Sequence, residues 1–280
     1  MREINIKLVE DAVRDLSIEA NYFIGKDIKD KLIKSKEDEP YSIAESVLDK
    51  IIINSEIACK ENMPMCQDTG MACVFLEIGQ DIHFVGGLLE DAINEGVRRG
   101  YEEGFLRKSV VKDPIDRVNT KDNTPAVIYY DIVAGDKLKI TLAPKGFGSE
   151  NMSRIGMLKP ADGLQGVKDF IIETVKLAGP NPCPPMVIGV GIGGTFDKAA
   201  YLAKKALLRP INIRNKNEFY SNLEEELLNR INELGIGPQG FGGKTTALGL
   251  NIETYPTHIA GLPVAVNINC HATRHKERVI

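Results

Sequence analysis

The sequence predicts a mixed α/β fold, with helices packed on mixed sheets in a single domain, residues 1–280, that is bilobed at most. Three observations predict it. Stretches with apolar residues at helical intervals alternate with short apolar runs of strand length. With 280 residues and 43% hydrophobic composition, the chain can bury a sizeable core. No internal repeat, low-complexity tract or long flexible linker divides it.

Ile4, Leu8, Val9, Ala12, Val13 and Leu16 fall at helix-like intervals and predict a helix over 4–24. A second helix is predicted over 42–60 behind Ser42 as N-cap, and the polar segment Lys34 to Pro40 before it reads as a loop. Met63-Pro-Met-Cys-Gln-Asp-Thr-Gly70 joins a helix-breaking Pro64 to a turn-favouring Gly70 and leads into a strand-like run over 71–78. Cys66 therefore sits on a loop ahead of a strand. A helix over 87–103 precedes a polar connection through Arg107 and Asp113-Pro114, then strands over 125–133 and 137–143 and a glycine-rich loop from Pro144 to Asn151.

The helix predicted over 167–177 breaks at Gly179-Pro-Asn-Pro-Cys-Pro-Pro185, and the apolar run 186–192 reads as a buried strand feeding a helix over 196–208. Cys183 is thus a second loop cysteine ahead of a strand. A charged helix over 218–234 leads to Gly235-Ile-Gly-Pro-Gln-Gly-Phe-Gly-Gly243, beyond which the chain reads as strands separated by turns. Cys270 lies just past the apolar run 262–268.

Thirty-five basic and 39 acidic residues, a formal net charge of −4, are interspersed along the chain. Without a basic stripe, no nucleic-acid partner is expected. The N-terminus leads into a mixed polar pattern, and no stretch approaches the roughly 20 apolar residues of a membrane span. The expectation is a cytoplasmic protein with no membrane contact. Five scattered cysteines, an odd number, fit free thiols or metal ligands better than a disulfide framework.

Cys66, Cys183 and Cys270 occupy loops rich in glycine, proline or short polar residues, where backbone can approach a cluster closely, whereas Cys59 and Cys73 lie in helix-like and strand-like runs. Three thiolates suffice for an iron-sulfur cubane that keeps one iron open to substrate or water. The competing reading makes all five cysteines small buried hydrophobes. On spacing alone that reading is the stronger, because the wide separations match no compact metal motif.

Company changes the balance. Met65-Cys-Gln-Asp-Thr-Gly70, Asn181-Pro-Cys-Pro-Pro185, Tyr255-Pro-Thr-His-Ile-Ala-Gly-Leu-Pro-Val-Ala-Val266 and Asn269-Cys-His-Ala-Thr-Arg274 resemble the class I fumarate hydratases. The chain looks like the separate alpha subunit of the two-subunit fumarate hydratase and L-tartrate dehydratase group. The likeness runs from the first helix to the last residues and takes in Lys145-Gly-Phe-Gly-Ser-Glu-Asn151 and the glycine-rich loop 235–243.

The resemblance implies a [4Fe-4S] cluster on Cys66, Cys183 and Cys270, with the fourth iron acting as a Lewis acid on a small dicarboxylic acid. It further implies substrate contacts from Gln67, Asp68, Arg107, Gly148 and His258, with Asp68 a candidate acid or base; Arg107 and Gly148 are placed by approximate spacing. A separate beta subunit would supply further carboxylate-binding residues and the base for C–H proton abstraction, in a heterotetramer, since the chain stops where the fused enzymes continue. The implied reaction is the reversible hydration of fumarate to (S)-malate, in the tricarboxylic acid cycle. L-tartrate to oxaloacetate is the closest alternative. These roles are chemically coherent: removing water from a 2-hydroxy diacid needs help for a poor leaving group. An arginine and oriented N–H donors stabilise charge that builds on the carboxylate.

Each residue also has a plainer reading. Asp68 could close an Asx turn before Thr-Gly, Arg107 could be a solvated cation near Lys108 and Lys112, and His258 a structural histidine. Gly189-Val-Gly-Ile-Gly-Gly194 matches a dinucleotide fingerprint between strand and helix, but Arg209-Pro-Ile-Asn-Ile-Arg214 stands where an acidic residue belongs. Close strand–helix packing explains those glycines better. Gly237-Pro-Gln-Gly-Phe-Gly-Gly-Lys-Thr245 is one residue too long for a phosphate loop, though it could present N–H groups to a carboxylate. From a different class, a non-catalytic iron-sulfur or metal-binding assembly protein remains as an alternative, and the polar groups beside the cysteines argue against it.

Overall fold

The computed structural model describes all 280 residues, which divide into two compact units. One comprises Met1–Gly25, Asn54–Phe147 and Arg274–Ile280, the other Lys26–Ile53 and Gly148–Thr273. The chain passes between them four times, so neither unit is a continuous segment, and the boundary carries no linker signature in sequence.

In the first unit, β1 (Arg2–Asn5) precedes α1 (Ile6–Tyr22), and the Asn5 side chain accepts the Lys7 N–H at 2.9 Å as N-cap. β2 (Met71–Gly79), β3 (Ile82–Val85), α4 (Leu89–Glu103), β4 (Val127–Val133), β5 (Leu138–Lys145) and β10 (Lys276–Val279) complete it, with the end of α3 (Ser42–Glu61). A four-stranded sheet runs β10-β5-β2-β4, in which β2 is parallel to β4 and antiparallel to β5; β1 and β3 form a parallel pair. Helices α1 and α4 pack tightly because Gly96 and Gly100 face α1: a Cβ at Gly96 would lie 2.6 Å from the Glu10 carbonyl oxygen. Val9, Val13 and Leu16 of α1, Ile93, Val97 and Tyr101 of α4, and Val74, Ile140 and Leu142 of the sheet share one buried core. Each enclosed aliphatic side chain there contributes about 1.5–3 kcal/mol.

In the second unit, α2 (Lys26–Glu37) and the start of α3 join α5 (Phe147–Glu150) beyond its first residue, β6 (Arg154–Leu158), α6 (Gly163–Ala178), β7 (Met186–Gly193), α7 (Phe196–Ala206), α8 (Glu218–Asn232), β8 (Ala247–Tyr255) and β9 (Leu262–Asn269). The sheet order is β6-β9-β7-β8, with β7 parallel to β8 and β9 antiparallel to β7 and β6. Helix α7 lies directly on β7: a Cβ at Gly189 or Gly191 would sit 2.1 Å from the carbonyl oxygens of Ala203 and Ala199. The glycines of the dinucleotide-like motif therefore serve strand–helix packing, as expected. Glu224 of α8, fully buried, pairs with Arg209 and accepts the Ile252 N–H at 2.8 Å.

Three expectations change. The first residues of the predicted helix 4–24 pair instead as β1 with β3, because Ile4 fills the core from a strand. Lys34 to Glu37, read as loop, continue α2, whose sparse buried face of Ile28, Leu32 and Ser35 is masked by lysines and aspartates. The loop 144–151 contains the one-turn helix α5, and β6 follows it unread. No helix is long and apolar enough to cross a membrane.

Candidate active site

The Cys66 loop, between α3 and β2, is held from within the first unit. The Asn54 side chain donates to the Met65 carbonyl at 2.8 Å, and the Met65 N–H donates to the Asn21 carbonyl at 3.1 Å. The Tyr101 hydroxyl, wholly buried, reaches the carbonyls of Thr69 at 2.8 Å and Gly70 at 3.0 Å. Burial pushes the Tyr101 phenol well above its ordinary range, so it remains a neutral donor. Arg274, also buried, donates to the Asp68 carbonyl at 2.6 Å.

Within this loop Asp68 does what a turn residue does and more. One carboxylate oxygen accepts the Gly70 N–H at 3.0 Å, the Asx turn of the plainer reading, and the other accepts the Phe147 N–H at 3.0 Å. Gly146 makes room for it, since a Cβ there would lie 3.1 Å from the second oxygen. Each carboxylate oxygen has a further lone pair for a substrate hydroxyl or water. Gln67 is exposed. Arg107 is exposed too, and its carbonyl accepts the Thr69 hydroxyl at 3.0 Å, so its backbone lies against the cysteine loop. Asn123, completely buried, fixes the same relation: its amide oxygen accepts the N–H groups of Ser109 and Val110 and its nitrogen donates to the Gly70 carbonyl.

In the second unit topology brings two cysteines to one end of the sheet. Cys183 precedes β7 and Cys270 follows β9; these strands are antiparallel with Val187 opposite Asn269, so the start of one meets the end of the other. Cys183 is exposed, with a φ of +54° in a turn closed by its own N–H donating to the Pro180 carbonyl at 3.1 Å. The His271 N–H donates to the Cys183 carbonyl at 3.2 Å. Gly148 belongs at this end as well: a Cβ on it would be 4.0 Å from the Asn181 carbonyl oxygen.

His258 does not. It is exposed on the connection between β8 and β9, where its Nδ1 accepts the Ala260 N–H at 3.2 Å. That connection lies at the opposite end of the sheet from Cys183 and Cys270. Although His258 is near Cys270 in sequence, the eight residues of β9 carry the chain roughly 23 Å away.

The other glycine-rich motifs are filled by the protein's own carboxylates. At the N-terminus of α7, Asp197 accepts the Thr195 hydroxyl at 2.6 Å, and hydrogen bonds from that hydroxyl and from backbone N–H groups hold its carboxyl below the usual range. In the loop 235–243, Gly243 lies against Ala44 and Glu39, and the neighbouring Lys244 N–H donates to Glu39 at 2.8 Å. The residue sequence reasoning missed is Gln239, at a φ of +53°, which donates from its backbone and its side chain to the Pro184 carbonyl at 2.8 and 3.0 Å.

The cysteines divide by setting. Cys73 is 4% exposed inside β2 and Cys59 projects from α3, while Cys66, Cys183 and Cys270 lie outside regular elements, Cys183 exposed and the other two half-buried. Thiols on turns, with glycine, proline and left-handed backbone around them, fit the donor set of an iron-sulfur cluster. Within neither unit do three His, Cys, Asp or Glu side chains gather closely enough to hold a single metal ion.

Residues 10–279 match the family model described as fumarate hydratase (Fumerase), and the chain belongs to this class I, iron-sulfur hydro-lyase family. Among curated relatives, a Methanocaldococcus jannaschii protein provisionally named L(+)-tartrate dehydratase subunit alpha is 45% identical over 273 residues, 95% of each chain. The L(+)-tartrate dehydratase subunit alpha of Escherichia coli K12 is 34% identical over 252 residues, 89% of this chain and 82% of the relative. The Shigella sonnei protein of the same name matches to the same extent.

Proposed function

We propose that the chain is the alpha subunit of a [4Fe-4S]-dependent hydro-lyase acting on a four-carbon 2-hydroxy diacid, with L(+)-tartrate as its first candidate substrate. The sequence alone put fumarate and (S)-malate first; the names of relatives at 45% and 34% identity support tartrate, and the family's description keeps fumarate as the second reading. The observation that carries the hydro-lyase reading is the pairing of β7 with β9, which sets the Cys183 and Cys270 turns side by side.

Cys66, Cys183 and Cys270 would hold the cluster, whose open iron supplies Lewis acidity toward the substrate hydroxyl and carboxylate. Asp68, its two oxygens oriented by the Gly70 and Phe147 N–H groups, is positioned to take up or return a proton. Arg107 would pair with a substrate carboxylate, and Gln67 and Gly148 would add hydrogen bonds. His258 would add a further side-chain hydrogen bond, from the opposite end of the second unit's sheet to Cys183 and Cys270. A beta subunit would complete the site in a heterotetramer, and the alpha chain alone would be nearly inactive.

The test is an anaerobic assay of the cluster-loaded chain, alone and co-expressed with its genomic neighbour, on L(+)-tartrate, D-tartrate, (S)-malate and fumarate. Turnover of L(+)-tartrate in excess of malate by the pair supports the proposal. Preference for malate and fumarate promotes the second reading. Robust turnover by the chain alone overturns the subunit assignment.

A further inference from the structure

Gln239 and His271 are absent from the roles above, yet together they tie down the Cys183 turn. Each lies on a different connection of the second unit: Gln239 before β8, His271 after β9. The Gln239 backbone N–H and side-chain Nε2 both donate to the Pro184 carbonyl, at 2.8 and 3.0 Å. His271 Nδ1 lies 3.0 Å from Gln239 Nε2 and 3.0 Å from the Cys183 carbonyl oxygen, which also accepts the His271 backbone N–H at 3.2 Å.

Both neutral tautomers of His271 tie the same three groups together. An amide Nε2 has two protons, and Pro184 takes one. With His271 protonated on Nε2 the second goes to Nδ1; with His271 protonated on Nδ1 that nitrogen itself donates to the Cys183 carbonyl at 3.0 Å, beside the His271 backbone N–H. One glutamine thus links the carbonyl after Cys183 to the side chain after Cys270. Cys183 and Gln239 both hold left-handed backbone, at φ +54° and +53°, a strained conformation for non-glycine residues that clusters at functional sites.

Building on the assignment of Cys183 and Cys270 as cluster ligands, we propose that Gln239 and His271 are positioning residues that set the spacing between those two thiolates. They donate to, or are read by, backbone carbonyls and each other, so they hold the ligand turns without supplying a ligand. Partners of this kind change metal affinity by about 10–100-fold when lost.

The test uses the full chain, reconstituted anaerobically with iron and sulfide, and measures the rate of iron loss to a chelator and the visible absorption of the cluster. Gln239→Glu keeps the shape but replaces the donor with an acceptor facing the Pro184 carbonyl. It should lose iron at least about tenfold faster than the parent, and His271→Leu likewise. His271→Asn, whose amide can return either an acceptor or a donor near the Nδ1 position, should recover most of the difference. Melting of the iron-free chain should be unchanged, which separates positioning from general loosening of the fold. Equal iron-loss rates in the parent, Gln239→Glu and His271→Leu would overturn the proposal, as would no recovery in His271→Asn. If Cys183→Ser and Cys270→Ser also keep their iron, the ligand assignment has failed instead.

Discussion

The Cys66 loop and the Cys183 turn each carry one thiol ahead of a strand, and the protein holds them by opposite means. Around Cys66, the buried side chains of Tyr101, Asn123 and Arg274 send hydrogen bonds to the carbonyls of Asp68, Thr69 and Gly70. Around Cys183 the support is a pair of side chains at the sheet end, Gln239 and His271, reaching an exposed turn. A polar group buried without a partner is expensive, so the first loop is fixed by the same interactions that close the core. The second can loosen while the unit stays folded. The Cys66 loop is set by folding itself; the Cys183 turn is tuned locally.

The widest effect tests whether the two regions matter equally to the proposed chemistry. Cys66→Ser, Cys183→Ser and Cys270→Ser should each lower cluster content and turnover by more than about 100-fold, beyond the usual cost of losing a supporting contact. Iron analysis and an anaerobic assay measure it. Retention of the cluster by Cys183→Ser but not by Cys66→Ser would mean that the exposed turn is not a ligand site at all.

Stability should split the two regions the other way. Asn123→Ala removes the acceptor of the Ser109 and Val110 N–H groups and one of the two donors to the Gly70 carbonyl, which keeps the Tyr101 hydroxyl. At about 1–3 kcal/mol for each unsatisfied buried group, with the Val110 N–H the most enclosed, the expected loss is about 2 kcal/mol. Gln239→Ala, on the exposed turn, should cost less than about 1 kcal/mol. Urea unfolding of both variants makes the comparison, and equal losses would remove the distinction between core-held and locally held loops.

What sequence could reveal follows the same division. Proline and glycine punctuation exposed the turns bearing Cys66 and Cys183, because backbone geometry is written locally. The long helices over 42–60 and 218–234 were legible from apolar periodicity. The four-residue β1 was not, since its one core residue, Ile4, also suits the helical spacing that follows. Helix α2 hid behind charged residues that form surface pairs such as Lys26–Asp30. Gln239 and His271 stand 32 residues apart and meet only through the register of three strands. His258 shows the converse, for closeness in sequence to Cys270 becomes distance once β9 is extended.

A smaller effect should appear in alkali. Tyr101 is fully buried, and burial raises its phenol above the ordinary value near 10. A phenol raised on folding binds its proton more tightly in the native state. Its contribution is therefore complete below about pH 10 and is lost as pH rises from the unfolded value toward the raised one. The parent should lose stability above about pH 10 more steeply than Tyr101→Phe, which should itself cost about 1–2 kcal/mol at neutral pH. Parallel melts across pH 8–11 measure both, and identical slopes would show that the phenol does not govern the Cys66 loop in alkali.

The smallest expected effect bears most directly on the choice of ligands. Cys59 has an exposed side chain on α3, seven positions before Cys66 and on the same side of β2 in sequence. Its thiol makes no contribution that serine lacks on a solvated helix face, so Cys59→Ser should move stability by no more than about 0.5 kcal/mol. Cluster content should not move either. Helix geometry gives the reason, since a regular helical residue is committed to its own face and cannot adopt the turn conformation that frees Cys66 or Cys183. If Cys59→Ser lost iron as Cys66→Ser is expected to, loop position would no longer distinguish ligand from bystander, and the contrast between the two thiol-bearing regions would rest on the wrong residues.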